Sequence, residues 1–284
     1  IRTVPIGLAF ASLLLASARE QCTLAWQGGF GCPGAAPAVA SMTWWDPDGP
    51  GPLPGRAVLG GLLRVAGNQP AHGLASWNPS TSTFDPIVAP AGDSVELVAA
   101  LPTGELAAVV VASVPGQSFH RVLLWNGTSW TVLGPDFAYA SILSMVAGPN
   151  GELVIGGQLQ VAAGGANLGG VAAWSGTAWV PVGGGVPGIV QAMTVRASGE
   201  LVVGGAFSSA GSVNAANVAQ WDGVAWQSLG TGLPPYVRAV QEMPNGLVFA
   251  GPSLGGAGLK AWDGIAWSTI PGVAIVNCLG ALGA

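Results

Sequence analysis

Apolar and polar positions alternate along most of the chain, in short runs rather than long ones. VELVAAL from Val95, ILSMVAG from Ile142, IVQAMTVR from Ile189 and VRAVQEM from Val237 repeat with the period of two that marks a half-buried β-strand. A turn follows each run: Gly104-Glu105-Leu106, Gly151-Glu152-Leu153 and Gly199-Glu200-Leu201, shortened to Gly246-Leu247 in the last. A second run is more continuously apolar and tends to end in a glycine pair, as in VLGG from Val58, LVIGG from Leu153 and LVVGG from Leu201. LVFAG from Leu247 departs slightly, and the run AVVVAS has no glycine pair at all. After a variable loop, a third run finishes on a tryptophan. A fourth begins near another tryptophan and leaves through a glycine-rich exit such as VGGG or LGTG.

The tryptophans make the repeat explicit. Trp125 and Trp130, Trp174 and Trp179, Trp221 and Trp226, and Trp262 and Trp267 are each spaced by five, with steps of 49, 47 and 41 between pairs. Trp77 with Phe84 continues the series backward across a longer turn. Five repeats result, spanning roughly 39–90, 93–137, 141–187, 189–233 and 236–273, with 274–284 as the start of a further one. Asn126-Gly127, Ser175-Gly176, Asp222-Gly223 and Asp263-Gly264 fit two-residue hairpin turns, in which glycine accepts positive φ. In that register Trp125 faces Thr128 and Leu123 faces Trp130, so the two indoles share one sheet face as diagonal neighbours. Such a slab could serve as a platform for sugar rings. Recurrence at the same strand position in every repeat favours packing between neighbouring sheets instead.

Four-stranded sheets recurring every 40–50 residues predict a β-propeller. One such sheet cannot bury both faces, whereas a ring of them can. The expected fold class is therefore all-β, a propeller of about five four-stranded blades plus an incomplete further blade.

The unit GGAFSSAGSVNAANVAQWDGVAWQSLGTGL, Gly204 to Leu233, resembles the repeat of large secreted bacterial β-propeller proteins, approximately GGxFxxAGxxxaNxIAxWxGxxWxxLGxG. Those proteins are kelch-like and galactose-oxidase-like in style. DPDGPGPLPGRAVLGG from Asp46 resembles the inserted first hairpin of the same group. The resemblance implies a propeller fold and an exported location, and it implies no particular reaction.

Composition narrows the function classes. Charged residues make up 7% of the 284, against a usual share of about 25%. Eight Lys plus Arg against thirteen acids cannot build the basic face that a nucleic-acid binder needs. Half the chain is hydrophobic, the reverse of a disordered composition. Residues 1–18 carry Arg2, an apolar stretch from Ile6 to Leu15 and a small-x-small site at Ala16-Ser17-Ala18, the pattern of a secretory signal peptide. The propeller domain would then occupy 19–284. No later stretch is long and apolar enough to span a bilayer as a helix. Cys22 and Cys32 flank a glycine-rich turn and could close a small disulfide loop, while Cys278 sits in an apolar alternation where other repeats carry Met or Leu.

Candidate chemistry is sparse. His72 and His120 fall in or beside loops with no carboxylate near them in sequence, so both are expected to be solvated. Glu105, Glu152 and Glu200 recur at one turn position and are expected to bond local backbone N–H groups. Asp46 and Asp48 resemble a calcium-loop fragment without its later oxygen ligands, which favours a Pro-Gly turn. Two tyrosines, Tyr139 and Tyr236, do not supply a galactose-oxidase-type copper site. No catalytic, cofactor or metal residues are assigned. The expectation is an exported, non-catalytic binding or scaffold module with an unknown protein or glycan ligand. The alternative is a carbohydrate-active or oxidative enzyme whose site is built from loops. CTLAWQGGFG from Cys22 resembles a fourth strand with its exit, and AIVNCLGAL from Ala274 resembles a first strand. The chain is therefore expected to be a fragment of a longer one, with its last blade unfinished and either an open ring or a gap bridged imperfectly by the two termini.

Overall fold

Strand-forming runs separated by turns leave each sheet with two apolar faces to cover, and the molecule covers them with further sheets. The computed structural model describes residues 35–36, 38–49, 51–85, 87, 90, 94–139, 141–162, 167–252 and 258–273. These form five antiparallel blades in a β-propeller arrangement. Blade 1 comprises Val39–Trp45, Arg56–Gly61, Leu74–Asn78 and Thr83–Asp85; blade 2 comprises Ser94–Ala100, Leu106–Val114, Gln117–Trp125 and Trp130–Val132. Blade 3 comprises Ile142–Ala147, Leu153–Gly157, Val171–Trp174 and Trp179–Pro181. Blade 4 comprises Gly188–Val195, Leu201–Phe207, Val218–Trp221 and Trp226–Ser228; blade 5 comprises Val237–Glu242, Val248–Pro252, Leu259–Trp262 and Trp267–Ile270. Among the described residues there is no α-helix, only one 3-10 turn at Val182–Gly184. The first strands of successive blades pack on one another, which makes them the inner ring.

Four apolar clusters lie between successive blades and hold the molecule together. Val58 of blade 1 meets Val95 and Val98 of blade 2, and Val202 of blade 4 meets Val237 and Val240 of blade 5. The glycine pairs explain how close the sheets come. A Cβ on Gly60 would lie 2.9 Å from Val95, and one on Gly204 would lie 2.6 Å from Val237. The second glycine of each pair faces its own blade instead: a Cβ on Gly205 would lie 2.0 Å from the Ile189 carbonyl oxygen. In blade 2 the run Leu106–Val114 has no glycine pair because it continues into a nine-residue hairpin with Gln117–Trp125, turned at Gly116.

Every inner strand carries a β-bulge, between Val39 and Ser41, Val95 and Leu97, Ile142 and Ser144, Val190 and Ala192, and Val237 and Ala239. The inserted residue leaves the ladder and its side chain is re-aimed. In blade 2 that residue is Glu96.

The tryptophan hairpins differ from the expected register. Trp125 stands directly opposite Trp130, and the other pairs match it: Trp174 with Trp179, Trp221 with Trp226, Trp262 with Trp267, and Trp77 with Phe84. The turn closes one residue later than the sequence suggests. The Asn126 amide donates to the Ser129 carbonyl, leaving Gly127, at φ +96°, as the first central residue. The Asn126 side-chain oxygen then accepts the Thr128 and Ser129 amides, and Asp222 and Asp263 do the same in blades 4 and 5. A short polar side chain that satisfies two turn amides sets this register.

The expected signal peptide, Cys22, Cys32, Cys278 and the start of a further repeat at 274–284 lie outside the described residues. The apolar residues on blade 5's far face (Ala239, Leu259) and on blade 1's near face (Val39, Leu59, Leu63) belong to two separate clusters.

Candidate functional site

The chemistry-bearing residues are scarce enough to follow one by one. His120, expected in a solvated loop without a carboxylate, is instead in the third strand of blade 2 and 1% exposed. His120 pairs with Val111, which pairs with Ser94, two residues from the bulge residue Glu96. Strand pairing thus brings together groups 24 positions apart. The Nε2 atom lies 3.0 Å from Glu96 Oε2, and the Nδ1 atom accepts the Ile142 backbone amide at 3.2 Å. An Nδ1 that accepts an N–H puts the ring proton on Nε2, which donates to Glu96. The ring also meets Tyr139 edge-on at 5.4 Å. An imidazole with both nitrogens committed to protein partners is a brace between blade 2 and the first residue of blade 3. Replacing His120 with Ala should orphan the buried Ile142 amide and cost about 1–3 kcal/mol for that group alone. Urea unfolding at neutral pH measures this; unchanged stability would contradict the brace.

Several other titratable groups are engaged in similar structural ways. Arg121 forks onto Asp136 with two bonds of 2.7 Å, and the Asp136 hydrogen bond raises the guanidinium pKa above its ordinary value. Arg196 reaches from blade 4 to Glu242 of blade 5 at 3.0 Å. Glu152 bonds the Asn150 amide, Glu105 takes the Thr103 hydroxyl, and Glu200 takes the Ser198 hydroxyl together with its own backbone N–H. The Ser198 bond, first among several causes, holds the Glu200 carboxyl below its usual range. The amides of Ala225 and then Val224 do the same for Asp222, as those of Ala266 and Ile265 do for Asp263. Asp48 caps the Leu53 amide in the Asp46–Gly49 turn, and His72 is exposed at φ +41°. Among the described residues no three His, Cys, Asp or Glu side chains converge on one point.

None of the repeat aromatics is exposed. Trp125, Trp179, Trp226 and Trp262 are buried, while Trp77, Phe84, Trp130, Trp174, Trp221 and Trp267 are half-buried. Within each tryptophan pair the ring centroids are 5.2–5.5 Å apart and the planes are tilted by 46–58°. Rings so tilted offer no common flat surface to a sugar. They latch blades together. Trp179 Nε1 donates to the Leu133 carbonyl at the exit of blade 2, Trp226 to Val182 at the exit of blade 3, and Trp267 to Leu229 at the exit of blade 4. The next residue in each exit is a glycine beneath the incoming rings: Gly134, Gly183 and Gly230. At Gly183, φ is +54° and a Cβ would fall 2.2 Å from Trp221, so both backbone and space require glycine there.

A groove of about 570 Å³ lies where the exit of blade 3 meets blade 4. Gln158, Asn167, Pro181, Gly185, Pro187 and Gly211 are among its lining residues, and among the described residues no ionisable side chain lines it. The glycines at 183–185, all with positive φ, carry the chain around its edge, and the Gly211 amide bonds the Gly185 carbonyl below it. Sequence reasoning missed this groove. Its signal was the longer second-to-third-strand loops of repeats three and four, which lie next to an unusually glycine-rich exit.

No protein-family model matches the chain, and no curated protein matches it. Among solved structures it is similar to a hypothetical protein from Leishmania major, at 12% identity and a TM-score of 0.36, over 82% of this chain and 85% of that one. It is also similar to the GH74 xyloglucanase of Xanthomonas campestris, at 12% identity and a TM-score of 0.30. That match covers 77% of this chain and 41% of the xyloglucanase.

Proposed function

We propose that the chain is an exported, non-catalytic β-propeller that binds an uncharged, hydroxyl-rich ligand of the glycan class in the groove between blades 3 and 4. The groove carries this reading: its walls offer the side-chain amides of Gln158 and Asn167, backbone groups and apolar patches, with no charge to recognise an ionic partner. Amides and backbone groups both donate and accept, which suits hydroxyls. Export rests on the signal-like pattern of residues 1–18, and the non-catalytic reading on the structural commitments of His120, Glu96, Arg121 and Arg196.

Neutral-glycan array screening of the purified protein tests the reading, followed by titration of any hit against Gln158→Ala. We expect binding that weakens at least tenfold in the variant and is insensitive to salt, because no ion pair is involved. An empty array, or turnover in a hydrolase and oxidase screen of the same preparation, would overturn it.

A further inference from the structure

The outer hairpin tips of blades 2 to 5 are equivalent, so the residues that turn them can be compared one against another. The residue after the first tryptophan is Asn126, Ser175, Asp222 and Asp263 in turn. Each accepts turn amides on a side-chain oxygen. Asn126 Oδ1 takes Thr128 and Ser129, and Ser175 Oγ takes Ala178. Asp222 takes Val224 and Ala225, and Asp263 takes Ile265 and Ala266. An oxygen is therefore all that the turn needs. The carboxamide nitrogen of Asn126 is surplus to it, and among the described residues that nitrogen donates to nothing.

Sequence and geometry single this nitrogen out together. Asn126-Gly127-Thr128 reads Asn-x-Thr, the acceptor pattern for N-linked glycosylation of an exported chain. Residues 126–129 are all exposed, and the Thr128 hydroxyl already sits on the Asn126 carboxamide, donating to Oδ1 at 2.9 Å. That bond draws electron density onto Oδ1 and eases proton loss from Nδ2. The sequence holds one other Asn-x-Ser/Thr triplet, Asn78-Pro79-Ser80, at the matching place after Trp77 in blade 1. Proline in the middle removes it from the pattern. Asn78 is also 7% exposed, and its Nδ2 donates to Asp85 at 3.3 Å. One triplet offers a free nitrogen and the other does not.

The structure assigns Asn126 as the attachment site of an N-linked glycan, an inference that rests on export and on nothing else in the proposed function. The donor is an oligosaccharide carried on a polyprenyl diphosphate, and the enzyme is a membrane oligosaccharyltransferase. A bond forms between Asn126 Nδ2 and the anomeric carbon of the first sugar, and the bond from that carbon to the phosphate oxygen breaks. Nδ2 gives up one proton, the polyprenyl diphosphate leaves, and nothing is oxidised or reduced. Oδ1 is still a carbonyl oxygen afterwards, so it keeps its bonds from Thr128 and Ser129 and the turn between Trp125 and Trp130 is preserved. On a chain with 7% charged residues, a hydrated oligosaccharide adds solvation that side chains supply sparingly.

The full chain, secreted by cells that carry this enzyme, tests the assignment. It is made once with residues 1–18 in place and once with a proven signal peptide instead of them. Peptide mass spectrometry of protein from medium and cells reads occupancy at position 126. We expect an oligosaccharide there that a peptide N-glycosidase removes, leaving aspartate. Asn126→Asp should lose the glycan yet keep the melting temperature of the deglycosylated protein, because blades 4 and 5 already turn on aspartate. Thr128→Ala should lose the glycan as well, whereas Thr128→Ser should retain it. Occupancy with the replacement signal alone would refute export by residues 1–18 and uphold Asn126. Folded protein that reaches the medium unmodified at Asn126 under either signal, or a glycan that survives Asn126→Asp, would overturn the assignment. None of these results depends on whether the groove binds a glycan.

Discussion

Replacing Trp226 with Ala should destabilise the protein by about 3–5 kcal/mol, the range for removing a large core aromatic. The residue is buried, its ring packs beside Trp221 over Gly183, and its Nε1 donates to the Val182 carbonyl at 3.1 Å. Truncation therefore opens a void and removes one of the two donors to the Val182 carbonyl, leaving only the Gly185 amide. Trp226→Phe keeps a six-membered ring in the site while removing the Nε1 donor and the rest of the indole, so a smaller loss of about 1–2 kcal/mol should follow. Urea titration followed by far-ultraviolet circular dichroism measures both. If Trp226→Ala cost less than about 1 kcal/mol, the tryptophan pairs would not be the elements that join blades.

Gly205→Ala is expected to be among the most damaging single-methyl additions in the molecule, at about 3 kcal/mol, the top of the usual overpacking range. The added Cβ would lie 2.0 Å from the Ile189 carbonyl oxygen and 3.0 Å from Val190 Cα, both backbone atoms of the paired inner strand. No side-chain rotation relieves that contact; the two strands must separate and the bulge must be rebuilt. Gly60→Ala is milder by contrast, because its new methyl meets the side chains of Val95 and Val98, at 2.9 and 3.0 Å. Thermal unfolding of the two variants side by side tests the distinction. Equal losses would mean that the second glycine of the pair is not dictated by its own blade's backbone.

The five-blade architecture was legible because its determinants are periodic. Trp-x-Gly-x-x-Trp, the glycine pair and the alternating inner strand each recur, and recurrence separates signal from coincidence in a single sequence. The exact turn register was not legible. Asn126-Gly127 reads as the centre of a two-residue turn, and only the bonds from Thr128 and Ser129 to the Asn126 side chain move that centre to Gly127. The His120–Glu96 contact was hidden for a different reason. It depends on the bulge in the inner strand, which every blade shares, and on a nine-residue hairpin in the next two strands that only blade 2 has among the described residues. The glycine-rich exits were visible as punctuation, but their role as seats for the next blade's indoles needed neighbouring blades in place. The groove between blades 3 and 4 had no sequence mark beyond loop length, since backbone carbonyls and amides have no letter code.

The three indole latches from the tryptophan pairs described above point the same way along the chain, from a later blade to the exit of the one before, whereas Trp45 of blade 1 donates forward to the Gly104 carbonyl. The donor follows its acceptor by 46 residues at Leu133, 44 at Val182 and 38 at Leu229. On a ribosome adding about 5–20 residues per second, the carbonyl of a newly emerged exit waits about 2–9 s for its indole. Of these three seams, only the newest is unlatched at any moment during synthesis, and the earlier ones are already fastened by residues that have left the tunnel. Assembly is therefore vectorial, each blade acting as the template on which the next one settles. A pause in translation just after an exit glycine would lengthen the one interval in which that edge is exposed to other nascent chains.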